Sequence, residues 1–156
     1  MKINDIINGC IKVEKSVASI YSTFMQLFPE EKDFWEGLYK AEIEHSSFLM
    51  DTKSLGLINE LKKISLLPSM QIINKTLKLV DNITKKISKN PISLKSALKM
   101  TLVLEETIVE VYTNKAIENL LDCDNKSCIK KILLDGKLHI DKVKDMIIKK
   151  GFSKLS

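Results

Sequence analysis

An all-α fold is expected from three features of the sequence. The chain is rich in Ile, Leu and Lys and holds only five Gly, three Pro and few aromatic residues, which favours helices over a sandwich or barrel. Apolar residues recur at three- and four-residue spacing over long stretches. The strongest stop signals, Phe28-Pro29, Gly56, Asn90-Pro91 and Gly151, fall between or after those stretches. At 156 residues the chain is long enough for one domain with a real core, so a single domain over 1–156 is expected.

Composition narrows the function classes. There is no run of eighteen apolar residues, and Met1 to Asp5 lacks the apolar core of a signal peptide, so a cytoplasmic protein without a membrane role is expected. Cys10, Cys123 and Cys128 form no CxxC pair, which argues for reduced thiols and against a zinc ribbon or a disulfide framework. The net charge of +5 comes from lysine alone, because the sequence contains no arginine. Specific nucleic-acid readers lean on arginine, so a solvated basic surface is the better reading.

The first helix is expected over Asn4–Leu27, ended by Phe28-Pro29 because the residue before proline is pushed out of the α region. Its inward stripe reads Ile7, Cys10, Glu14, Val17, Tyr21 and Phe24, so a carboxylate stands where the pattern calls for an apolar residue. Pro29-Glu30-Glu31 opens the second helix, with proline and acids in its first turn, and Leu55-Gly56 closes it. Two long helices joined by so short a connection should be antiparallel. On the second helix Leu38, Glu42, His45 and Leu49 share one face, while Lys40, Glu44 and Asp51 lie opposite. Glu42 and His45, three residues apart, project together about 4.5 Å apart along the axis. A carboxylate buried there needs a proton, a cation or a metal ion.

Leu57 to Pro91 is too long for a turn and too apolar for disorder. A short helix or turn near Ile58–Ile64 is expected, then an accessory helix over Ser69–Lys89 with Ile73, Leu77, Val80, Thr84 and Ile87 on one face, the whole acting as a crossover. A third long helix follows over Leu94–Leu121. Its stripe is Leu98, Leu102, Glu105, Ile108 and Tyr112, with Glu106 as the alternative acid. Val13–Ser22 aligns without a gap on Leu104–Thr113, which matches Glu14 to Glu105 and Tyr21 to Tyr112, so the two halves look related. Asp122 to Ser127 breaks this helix, and Asp124 or Asn125 is placed to cap the next. The fourth helix is expected over Lys126–Lys150 with Gly151 as its cap, and its stripe is Ile132, Asp135/Gly136, His139, Val143 and Met146.

The halves keep step at the histidines as well: 31 residues separate Glu14 from His45, and 34 separate Glu105 from His139. The second Glu-x-x-His is incomplete, because position 136 is glycine and Asp135 is the nearby acid. One Glu from each of two helices and a Glu-x-x-His from each of the others is the helical-bundle arrangement for a two-metal carboxylate site. Such oxygen and imidazole donors suit iron or manganese.

These residues resemble the ferritin-like superfamily, and within it the rubrerythrin-type proteins, over nearly the whole chain. The likeness rests on Glu14-x6-Tyr21, Phe28-Pro29-Glu30 before Phe34-Trp35, Glu42-x-x-His45, Glu105-x6-Tyr112 and His139. It implies an antiparallel four-helix bundle with a long helical crossover between helices 2 and 3, and a di-iron centre (manganese or mixed metal as variants) handling peroxide, dioxygen or ferrous iron. Glu14, Glu42, His45, Glu105 and His139 carry over as ligands, with Glu42 bridging and Asp135 as a further candidate. Tyr21 and Tyr112 are expected to hydrogen-bond ligand carboxylates. The resemblance also implies a homodimer, and a separate rubredoxin-like or flavin reductase as electron donor, since no CxxC…CxxC domain follows. The rival reading, with Gly136 in place of the acid, is a metal-depleted or single-metal bundle that binds or senses a partner.

Overall fold

The computed structural model describes residues 3–54, 68–112 and 128–152. Among these, every regular element is helical: α1 (Ile3–Leu27), α2 (Lys32–Ser54), α3 (Met70–Lys89), α4 (Leu94–Tyr112) and α5 (Cys128–Lys149), with one 3-10 turn at Pro29–Glu31. The fold is all-α, as expected. No helix among the described residues is long and apolar enough to cross a membrane. The expected helix near Ile58–Ile64, the cap at Gly56, the end of the third long helix beyond Tyr112 and the Asp122–Ser127 break lie outside the described residues.

The helix ends follow their punctuation. α1 stops at Leu27, and Phe28, with φ −128° and ψ 71°, leaves the helical region ahead of the proline. Pro29 then opens a 3-10 turn, so α2 begins at Lys32, three residues later than the proline signal predicts. Ser69 caps α3 by accepting from the Ile72 N–H at 3.2 Å, and Ser93 accepts from the Ser96 N–H at 3.1 Å at the start of α4. At the end of α5, Gly151 takes φ +75°, and the Gly151 and Phe152 amides donate to the carbonyls of Ile148 and Ile147 at 3.0 and 2.9 Å. This is a Schellman closure, which favours glycine at that position.

Cross-helix contacts set the directions. Asn8 meets Lys53 at 2.8 Å and Phe24 meets Trp35 with ring centroids 4.9 Å apart, so α1 and α2 are antiparallel. α4 and α5 are antiparallel too, with Val109 beside Gly136 and Glu105 beside His139. α3 runs alongside α1 in the same direction: Gly9 touches Ile73 near one end, and Ile20 and Leu27 share a groove with Thr84 and Ile87 near the other. A Cβ at Gly9 would lie 2.8 Å from Ile73 Cγ2, so the missing side chain permits this close approach. The buried stripe of α3 is Ile73, Thr76, Val80 and Ile83, rotated slightly from the expected one, and Thr84 is exposed.

Trp35 is fully buried in an aromatic nest with Tyr21, Phe24, Phe28 and Phe34, which gives it a packing role. An ion pair between Lys150 and Glu31 ties the end of α5 to the turn before α2. Among the buried polar side chains of the described residues, Ser46, Thr76 and Thr101 bond to carbonyls of their own helices. The others are Glu14, Glu42, His45, Glu105 and His139.

Candidate metal centre

Four helices deliver these five side chains to one interior point, because each occupies the inward phase of its helix. Glu14 and Glu105 have no exposed surface, Glu42 and His45 1 % each, and His139 4 %. Their donor atoms form two trios. One atom each from Glu14, Glu42 and His45 lie within 4.8 Å of one another, and the same holds for Glu42, Glu105 and His139. Glu42 belongs to both. Its Oε2 is 3.5 Å from Nδ1 of His45, and its Oε1 is 3.6 Å from Nδ1 of His139. Oε2 of Glu14 lies 3.6 Å from the same His45 nitrogen, and Oε2 of Glu105 lies 3.3 Å from Nδ1 of His139. The two imidazoles stack with centroids 6.2 Å apart. Glu106 is exposed, so Glu105 is the α4 acid that faces the centre.

The tyrosines bond across the molecule. Tyr21 on α1 donates to Oε1 of Glu105 on α4, and Tyr112 on α4 donates to Oε1 of Glu14 on α1, each at 2.6 Å. Each carboxylate thus has one oxygen fixed by a phenol and the other turned toward a histidine. Burial, and then chiefly the charge of the carboxylate each one serves, raises both phenols well above their ordinary value, so both remain donors.

Asp135 stands apart from both trios. Its Oδ2 is 2.9 Å from Nε2 of His45, the nitrogen on the far side of the ring from Glu14 and Glu42. Lys131, one turn earlier on α5, holds the same oxygen at 3.1 Å while its ammonium lies 5.8 Å over the Phe48 ring. Instead of offering its carboxylate to the centre, Asp135 orients the histidine, the arrangement common behind metal-bound imidazoles. Sequence reading missed Lys131, although its i,i+4 spacing from Asp135 was a usable signal. Gly136 is buried against α4, and a Cβ there would lie 2.9 Å from Cγ2 of Val109. The position expected to supply a fourth glutamate is a close helix contact.

Electrostatics assign protons to the metal-free centre. Burial, followed by the neighbouring charges of Glu14 and Glu105, raises Glu42 well above the carboxylate range. Burial also acts upward on Glu14, but Glu42, His45 and Tyr112 outweigh it, and its carboxyl is lowered. Burial acts downward on His45, yet the Glu14 and Glu42 carboxylates push it up to about 11. Asp135 is lowered, because His45 and Lys131 outweigh its partial burial. At neutral pH His45 is therefore an imidazolium, and Glu42 takes up a proton more readily than an ordinary carboxyl.

A metal ion fits these residues on chemical grounds. Oε2 of Glu14, Oε2 of Glu42 and Nδ1 of His45 are buried without a hydrogen-bond partner, and all three belong to one trio. Such orphaned buried groups are costly, and a cation among them removes the cost. Carboxylate and imidazole donors without thiolate suit iron or manganese. Comparisons with protein-family models, curated proteins and solved structures give no match for this chain.

Proposed function

We propose that this chain is a ferritin-like, rubrerythrin-type protein whose carboxylate-bridged centre takes two metal ions, iron in the first instance, for redox chemistry with peroxide, dioxygen or ferrous iron. The observation that carries the reading is Glu42, which offers one oxygen to each of two histidine trios. Two antiparallel pairs, α1/α2 and α4/α5, with α3 alongside α1, have the arrangement a four-helix bundle with a helical crossover requires.

Glu14, Glu42 and His45 would hold one ion, and Glu42, Glu105 and His139 the other. The pair would supply one electron each and act as Lewis acids toward developing negative charge on oxygen. Tyr21 and Tyr112 keep Glu105 and Glu14 from swinging, and Asp135 keeps Nδ1 of His45 aimed inward. Loading requires the His45 proton to leave, and the raised Glu42 carboxyl to ionise, while the apolar shell around the centre limits entry of water.

The test is metal content per chain after anaerobic Fe(II) loading and desalting, followed by near-ultraviolet absorption on adding peroxide or air. Two irons per chain and a prompt ferric band are expected, and Glu42→Ala should abolish both. An unchanged iron count in that variant overturns the assignment. One observation favours a second reading, a metal-depleted or single-metal binding module: Glu105 is already satisfied by Tyr21 and His139, and Gly136 supplies no acid. Under it, Fe(II) would leave the melting temperature unchanged, or raise it with only one ion bound.

A further inference from the structure

The halves of the centre differ, and the difference follows the sequence repeat. His45 is braced from behind: Nε2 bonds Oδ2 of Asp135 at 2.9 Å, and Lys131 holds that carboxylate. The repeat places Glu42 opposite position 136, so the counterpart of Asp135 is position 41, an alanine. Among the described residues no side chain bonds Nε2 of His139, whose Nδ1 is instead turned onto Oε2 of Glu105 at 3.3 Å. The orphaned atoms show the same asymmetry. Three converge in the His45 trio, whereas Glu105 has both oxygens engaged, by Tyr21 and by His139. An ion entering the His45 trio displaces no hydrogen bond. An ion entering the other must break the one between Glu105 and His139 and order an imidazole that no described side chain braces.

Resting on the two-metal reading, we infer that the two positions are unequal: the Glu14–Glu42–His45 position fills first and more tightly, with Asp135 as its positioning residue, and the Glu42–Glu105–His139 position fills second. Outer carboxylates of this kind typically contribute about ten- to a hundredfold in metal affinity.

The experiment is a titration of the full-length protein with Co(II), followed by calorimetry and visible absorption. The wild type should show two steps, the first complete at one ion per chain. Asp135→Ala should weaken the first step by about ten- to a hundredfold and leave the second in place, with partial recovery in Asp135→Asn, which keeps an acceptor. His139→Ala should remove the second step and preserve the first, a result that requires an intact fold and so controls for unfolding. A single step that takes up two equivalent ions, or an Asp135→Ala effect shared equally by both steps, overturns the ranking and leaves the two-metal reading standing. One ion per chain, lost in His45→Ala and unaffected by His139→Ala, supports the ranking and overturns the two-metal reading.

Discussion

Tyr21 donates its hydroxyl proton to Oε1 of Glu105, 84 residues further along the chain, at 2.6 Å. Tyr112 does the same for Glu14 across a separation of 98 residues. Removing either hydroxyl leaves a buried carboxylate oxygen unpaired, which costs roughly 1–3 kcal/mol. Tyr21→Phe and Tyr112→Phe should each lower the unfolding free energy of the metal-free protein by that amount, read as a lower urea midpoint with an unchanged m-value. A shift below about 0.5 kcal/mol in both would mean that water replaces the phenols.

Glu42 is where stability and proposed function oppose each other. Its pKa is raised by burial and by the charges of Glu14 and Glu105, a sign that its ionised form is unwelcome without a cation. Glu42→Gln keeps the volume and removes the ionisation. The metal-free variant should melt no lower than the wild type at neutral pH, and higher as the medium becomes alkaline, while losing metal uptake. Calorimetric scans across pH check the first expectation and metal analysis the second.

The pH dependence has a definite sign. His45 is raised from 6.5 to about 11 on folding, so its contribution to metal-free stability is complete below 6.5 and is lost as pH rises toward 11. Glu14 is lowered, so its contribution is present above its ordinary 4.5 and is lost as the medium acidifies through the folded value. His45→Ala should therefore flatten the alkaline limb of the stability profile and, because His45 is one of the groups that lower Glu14, weaken the acid limb as well. Metal uptake should strengthen with pH and release protons, as calorimetry in buffers of different ionisation enthalpy would measure.

Gly136 allows a test of packing. Alanine is favoured over glycine inside a helix by roughly 0.8–1.0 kcal/mol, but overpacking typically costs about 1–3 kcal/mol. With Val109 Cγ2 2.9 Å from the new Cβ, overpacking should win, and Gly136→Ala should destabilise the wild type. In a Val109→Ala background the same change should become neutral or stabilising. Equal effects in the two backgrounds would show that Val109 does not set the constraint.

The five interior donors were legible in the sequence because a charged residue on an apolar stripe is conspicuous, and the repeat brought Glu105 and His139 into register with Glu14 and His45. Helix ends were legible wherever Pro, Gly or a capping Ser marks them. Helical phase says which way a residue faces but not which helix it meets, so the crossing of Tyr21 to Glu105 and Tyr112 to Glu14 could not be read. For the same reason Asp135, on the flank of its stripe, was placed among the ligands, whereas the structure sets it behind His45. Gly136 was visible as a missing acid, but Val109, which closes on it, belongs to another helix.

The course of α3 beside α1 bears on how the chain reaches this state. The α1/α2 pair is joined by the short connection 28–31 and can zip up from local contacts, whereas the tyrosine bonds appear only once α3 has carried the chain back and α4 has docked. Until then the five ionisable groups stay hydrated, and their desolvation falls on that docking step rather than on the formation of either pair. Assembly of the pairs is therefore the step expected to be slow. A cation bound as proposed, bridging α1, α2, α4 and α5, would act as a latch closed after the climb, slowing unfolding far more than it speeds folding.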